Sequence, residues 1–205
     1  GRALPVGLER GHVDGGAERG RRHRQLDDDL EVVALAAEVL VLGDGEGRNG
    51  VWLAQKGHDV TTVDISEVGA RKARVLAQER GVELDIQVAD LADWVQGAAA
   101  LGPWDAIVSI FCHLPSGLRY DVARALTPQL APTGKLIMEA YTPAQPSMGS
   151  GGPKDEDLLM TRQKVVNDWP GLLLDVRITE RRIFEGMGHQ GLSSVIQVLG
   201  QPRRD

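Results

Sequence analysis

The sequence predicts an α/β fold, a doubly wound and mostly parallel sheet that closes at one edge with an antiparallel pair. Three observations predict it. Short apolar runs alternate with helix-period segments between residues 39 and 141. The first run, Val39-Leu40-Val41-Leu42, passes directly into the glycine turn Gly43-Asp44-Gly45-Glu46-Gly47-Arg48-Asn49-Gly50, and a helical pattern starts at Val51. After residue 171 the pattern changes to two alternating strands joined through a Gly-containing turn.

The elements follow in order. Residues 1–24 are rich in Gly and Arg and show neither helix nor strand period, so they read as loosely ordered coil, either a leader remnant or a basic arm. Residues 26–38 read as a helix, with Leu26, Leu30, Val33, Ala34 and Ala37 on one face and three aspartates in the first turn. The run 39–42 is a strand buried on both faces. Residues 48–56 form a helix stopped by Gly57, residues 59–64 the second strand, and Ser66 caps a helix through Arg80 that Gly81 ends. Residues 84–88 are the third strand, 91–101 a helix and 105–111 the fourth strand. A helix over 117–130 contains Pro128, which should kink it or restart its last turn. Gly134 opens the fifth strand, 135–141. Residues 142–160 are dense in Gly, Pro and Ser, the mark of a lid or binding segment. A helix over 163–169 and strands over 172–184 and 192–199 complete the chain.

With 205 residues there is ample chain for one core, here built on aliphatic side chains because aromatics make up only 4%. A net charge of −6 argues against nucleic-acid binding through phosphates. One cysteine rules out an internal disulfide and suits a reducing cytoplasm, and no apolar run is long enough for a membrane span. The expected partner is a small molecule, and the expected state a monomer or weak homodimer in the cytoplasm. The expected layout is a segment over 1–25 followed by a single domain over 26–205.

The first strand, turn and helix form a nucleotide-binding unit, with ligands held at the carboxyl ends of the strands. Gly45 to Gly50 matches a dinucleotide pattern that is weak alone, and Asp64 ends the second strand about 20 residues on, placed for two ribose hydroxyls. That spacing fits NAD and S-adenosylmethionine equally. Charge separates them: Asp44 and Glu46 put two carboxylates in the turn, where a diphosphate is repelled. A sulfonium cofactor carrying an ammonium group tolerates that loop.

Gly45-Glu46-Gly47-Arg48-Asn49, Asp64, Ala89-Asp90-Leu91 and the closing hairpin together resemble the class I S-adenosylmethionine-dependent methyltransferases. Ser109-Ile110-Phe111-Cys112-His113-Leu114-Pro115 and Gly151-Gly152-Pro153-Lys154-Asp155 resemble their tellurite-resistance-like small members. The resemblance covers residues 39–201. It implies a Rossmann-like methyltransferase fold, a seven-stranded sheet whose last strand is antiparallel. It also implies roles: Gly43, Gly45 and Gly47 line the methionine part of the cofactor, with Ser109 beside it. Asp64 holds the ribose, Ile65 flanks the adenine, and Asp90 and Leu91 meet its edge. Two positions depart from the pattern. Val41 stands where many class I enzymes carry an acid, which Asp44 replaces from the turn, and the first forty residues lack the usual aromatic-containing opening.

Several residues carry two readings. Asp64 and Asp90 serve either as ligand groups or as turn and helix caps. Glu46 and Arg48 either pair at the surface or meet the cofactor's charged end. Cys112 reads as a packed residue rather than a nucleophile, for want of an activating base. His113 is the candidate proton acceptor or orienting group at the reaction centre, against a histidine bonded only to backbone. Tyr141 and Lys154 are its candidate helpers in positioning the acceptor. His189 reads as a surface turn residue, and His113 with His189 has no metal-ligand spacing, so no metal is expected. The expected activity is methyl transfer to a metalloid oxyanion, a thiol or another small nucleophile. The rivals are an NAD(P)-dependent oxidoreductase and a cofactor-binding protein without turnover.

Overall fold

The computed structural model describes residues 37–100, 102–184 and 190–203. Seven strands form one sheet: β1 (Glu38–Leu42), β2 (Asp59–Asp64), β3 (Asp85–Val88), β4 (Trp104–Ile110), β5 (Leu130–Tyr141), β6 (Leu172–Phe184) and β7 (Gln190–Pro202). Their order is β3-β2-β1-β4-β5-β7-β6. The first five run parallel, and β7 lies antiparallel between β5 and β6. The chain steps outward from β1 to β3 on one side and from β4 on the other. That reversal opens a crevice at the carboxyl ends of β1 and β4. No helix among the described residues is long and apolar enough to cross a membrane.

The helices are α1 (Arg48–Gln55), α2 (Glu67–Arg80), α3 (Leu91–Trp94), α4 (Ser116–Leu126) and α5 (Arg162–Asp168). Ser66 starts α2 by accepting the Gly69 N–H at 3.0 Å, and Gly81, with φ of 66°, ends it. The main core packs Leu40, Ile107 and Leu136 of the sheet against Val122 and Leu126 of α4, with Trp169 and Leu172 alongside. Each such side chain, fully removed from water, contributes about 1.5–3 kcal/mol. A second cluster joins Met138 and Ala140 of β5 to Ile196 and Val198 of β7, covered by Met160 and Val165.

Some boundaries differ from those the sequence predicts. Glu38 lies in β1 and not in the helix expected to reach it; residues 26–36 of that expected helix, the coil over 1–24 and His189 lie outside the described residues. The α-helix after β3 is one turn, continuing as a 3₁₀ helix over Val95–Ala100. Pro128 falls in a separate 3₁₀ turn, Thr127–Gln129, since proline has no N–H to continue α4. β5 begins before Gly134, and its register against β4 shifts between Trp104 and Ala106. A Cβ on Gly134 would lie 2.8 Å from the Trp104 carbonyl oxygen, so only glycine allows that approach.

The 142–160 segment is pinned rather than loose. The buried Gln145 side chain donates to Ser150 Oγ (2.9 Å) and the Gly151 carbonyl (2.8 Å), and accepts the Ser194 N–H (2.9 Å). Ser150 in turn donates to the Leu192 carbonyl at 2.6 Å, and Thr142 bonds Ser194 at 2.6 Å. A buried polar network this complete fixes the strap across the end of β7.

Candidate active site

The glycine turn follows β1 with three left-handed glycines, Gly43, Gly45 and Gly47, at φ of 62°, 58° and 83°. They face different surroundings. A Cβ on Gly43 would lie 2.6 Å from Cys112 Sγ, and one on Gly47 2.6 Å from Ala73 Cβ, so these two glycines admit the protein's own neighbours. At Gly45 nothing lies within 4 Å, which leaves its backbone open to a ligand.

Asp44 points the other way. Its carboxylate is 8% exposed and accepts the Asn49 and Gly50 N–H groups at 3.1–3.2 Å, at the start of α1. The positive end of that helix, where a dinucleotide fold would seat a diphosphate, is occupied by a side chain of the protein itself. Burial pushes the Asp44 carboxyl up to about 7, against the pull of those two N–H groups. Arg48 opens α1 and is exposed, and Glu46 pairs with Lys72 at 2.6 Å.

Asp64 closes β2 with one oxygen on the glycine turn and the other on its own following loop. Oδ2 accepts the Gly45 N–H and Oδ1 the Ser66 N–H, each at 2.8 Å. A carboxylate offers about four acceptor positions, so two remain at this half-buried group for hydroxyl donors. Ile65 beside it is 70% exposed, an apolar surface next to the open glycine. Asp90 caps α3 by accepting the Ala92 N–H at 2.8 Å and is otherwise exposed. The Leu91 side chain turns into the main core, so only its backbone can meet a ligand.

Below the turn, Phe111 leaves β4 with φ of 53°, a conformation costly for a bulky residue, and Cys112, His113 and Leu114 follow. Burial pushes the Cys112 thiol up to about 12, which removes it as a nucleophile. The His113 ring stacks on Tyr141 at 5.3 Å and 7°, and Phe111 stacks on Tyr141 at 4.6 Å. His113 Nδ1 lies 3.4 Å from the Leu158 carbonyl. A proton on Nδ1 aimed at that oxygen puts the basic lone pair on Nε2. Tyr141, expected at the acceptor, is 2% exposed and serves as a floor for the histidine.

Leu42, Ser109, Cys112, His113, Met138 and Met160 line a cavity of about 30 Å³ beside the turn. Leu158 and Trp169 also form its wall, as does Arg119, whose Nε donates to Asp168 at 2.5 Å. The structure thus brings Gly45, Asp64 and Ile65 together at the crevice, and Ser109 and His113 together at the cavity. Lys154 is exposed on the strap. Met160, Trp169 and Arg119 escape a sequence reading, since their apolar or ion-pairing character marks core or surface and only the fold assembles them.

An open glycine, a carboxylate with spare acceptor positions and an exposed apolar side chain fit a ribose joined to a flat base. The Asp44 carboxylate does not fit a diphosphate. Residues 39–134 match the methyltransferase domain family. A ubiquinone biosynthesis O-methyltransferase of Xanthomonas axonopodis pv. citri (strain 306) is 31% identical over 112 residues, 53% of this chain and 45% of that one. The chain therefore spans under half the length of that curated relative. TehB from Haemophilus influenzae superposes with a TM-score of 0.70 at 16% identity, over 88% of this chain and 62% of that one. The N-methyltransferase NodS from Bradyrhizobium japonicum WM9 gives 0.67 at 15%, over 94% and 100%. Magnesium protoporphyrin IX methyltransferase from Synechocystis PCC 6803 with bound SAM gives 0.59 at 19%, over 93% and 86%. By the match over residues 39–134 and by fold, the chain is similar to the class I S-adenosylmethionine-dependent methyltransferases.

Proposed function

We propose that the chain transfers a methyl group from S-adenosylmethionine to a small-molecule acceptor, a thiol, a metalloid oxyanion or another small nucleophile, as a tellurite-resistance-like member of its class. The observation that carries this reading is the Asp44 carboxylate on the α1 terminus, with Asp64 left able to accept hydroxyls. It disfavours the nicotinamide alternative. In the same reading residues 26–205 form the domain, residues 1–25 a separate segment, and the protein acts in the cytoplasm as a monomer or weak homodimer.

When bound, the cofactor supplies a methyl group on a sulfonium, an electrophile with its leaving group built in. Asp64 accepts the ribose hydroxyls, Ile65 flanks the base, and Asp90 with the Leu91 backbone meets its edge. Gly43, Gly45, Gly47 and Ser109 surround the amino-acid part, and Arg48 faces its carboxylate. Asp44 holds the turn in shape. The protein's main contribution is alignment, because orienting two reactants in a dry site replaces a large entropic barrier. His113 takes a proton from a protic acceptor at Nε2, and Tyr141 keeps its ring in place.

The test is incubation with methyl-labelled cofactor and a panel of thiols, amines, phenols and metalloid oxyanions, read by mass spectrometry. The expected result is one S-adenosylhomocysteine per methylated acceptor. Cofactor binding without product from any acceptor would assign the chain to non-catalytic binding.

A further inference from the structure

The cavity beside His113 has properties that narrow the acceptor, and this narrowing rests on the methyl-transfer reading above. Its volume is about 30 Å³, where a single water needs about 10–15 Å³. It is a small space, suited to a small acceptor. Its wall is largely apolar, and three sulfur atoms, from Cys112, Met138 and Met160, belong to lining residues.

The cation on that wall is already committed. Arg119 donates through Nε to Asp168, and through Nη1 to the Leu114 carbonyl (3.1 Å) and the Asp157 carbonyl (3.3 Å). The Arg119 and Asp168 side chains are both largely buried, so the pair is close to neutral as seen from the cavity. Lys154 is exposed on the strap and does not line the space. An oxyanion brought here would leave several charged oxygens with few donors, which costs several kcal/mol of desolvation. A thiol loses little, since its sulfur is weakly hydrated and polarisable and makes favourable contacts with aromatic side chains.

We infer that the acceptor is a small thiol or hydrosulfide, admitted uncharged and deprotonated in place. The acceptor S–H proton passes to His113 Nε2. The sulfur lone pair then forms the new S–C bond, while the pair of the broken sulfonium–methyl bond stays on the departing thioether. Products are a methyl thioether or methanethiol, S-adenosylhomocysteine and one proton released to water; no redox partner is needed. Met160 sets the size limit.

Four measurements decide it. Calorimetry with S-adenosylhomocysteine checks the cofactor reading separately. Turnover is then compared for sodium hydrosulfide, methanethiol, 2-mercaptoethanol, glutathione, selenite and tellurite. Expected is kcat/KM for hydrosulfide or methanethiol at least tenfold above 2-mercaptoethanol, with no product from glutathione or either oxyanion. Met160→Ala should raise the 2-mercaptoethanol to hydrosulfide ratio at least tenfold. Xenon applied to crystals should occupy the cavity beside Met138, because apolar cavities of this kind bind it. Product from tellurite or selenite at the hydrosulfide rate, an unchanged ratio in Met160→Ala, or a cavity that excludes xenon overturns the inference. S-adenosylhomocysteine binding with no small-thiol turnover also overturns it while the cofactor reading stands. Absent cofactor binding overturns the methyl-transfer reading itself, and xenon still decides the character of the cavity.

Discussion

Gly45 and Gly47 carry the same backbone conformation in one turn and should respond differently to alanine. At Gly47 the added Cβ meets Ala73 Cβ at 2.6 Å and its Cα at 2.8 Å, where α1 packs on α2. Gly47→Ala should therefore cost several kcal/mol of stability, from overpacking added to left-handed strain. At Gly45 the strain alone applies, about 1–2 kcal/mol, and the methyl enters open space. Gly45→Ala should fold, with a urea midpoint lowered less than that of Gly47→Ala, and lose at least tenfold in S-adenosylhomocysteine affinity by calorimetry. Asp44 gives a pH prediction. Its folded carboxyl releases a proton near 7, while an unfolded aspartate releases it near 4. Between those values the folded chain holds the extra proton, so Asp44 makes stability fall as pH rises through the window, by roughly 4 kcal/mol in all. Asp44→Asn should flatten that decline in thermal melts taken from pH 4.5 to 7.5. An unaltered slope would show that Asp44 is ionised throughout.

Among the elements, α4 and α5 are joined by the Arg119–Asp168 pair, both side chains largely buried and Arg119 in the cavity wall. Burial raises the Asp168 carboxyl, and the Arg119 guanidinium opposes that rise. Arg119→Ala leaves an unpaired buried carboxylate and should cost about 3–5 kcal/mol in urea unfolding. Asp168→Asn, which keeps an acceptor oxygen, should cost less. Sequence reading located these elements where capping chemistry is local. Ser66, Gly81 and Gly57 each bound a helix at or within a residue or two of its observed end. It failed where pairing decides. β5 extends through Ala131-Pro132-Thr133, ahead of the strand expected over 135–141, because β4 offers a partner across an irregular register. The strap over 142–160 was legible as a functional-looking loop, but its anchoring through Gln145 to β7 was not, since the partners lie 49 residues away.

At the level of the whole molecule, the strand order follows from the alternating pattern and the closing hairpin, and the crevice follows from the strand order. The placement of Asp64 and the glycines at the strand ends was legible because it depends on position along the chain. The direction of the Asp44 carboxylate was not, and it turns a charge-repulsion argument into a steric one: the helix terminus is filled. Nor could the sequence show that Tyr141 stacks on His113, because residues 28 apart share one stack only after β4 and β5 pair. Asp64→Ala belongs to this scale too, since it removes two turn hydrogen bonds along with the ribose acceptor. It should lower S-adenosylhomocysteine affinity by at least 100-fold in calorimetry, as charge-assisted bonds contribute about 1.5–3 kcal/mol each.

The central claim is that the crevice above β1, β2 and β4 receives a sulfonium nucleoside and rejects a diphosphate. Parallel calorimetric titration of the purified chain with S-adenosylhomocysteine and with NADH tests it most directly. Saturable one-to-one binding of S-adenosylhomocysteine with no heat from NADH is predicted. Binding of NADH, or silence toward S-adenosylhomocysteine, would contradict it.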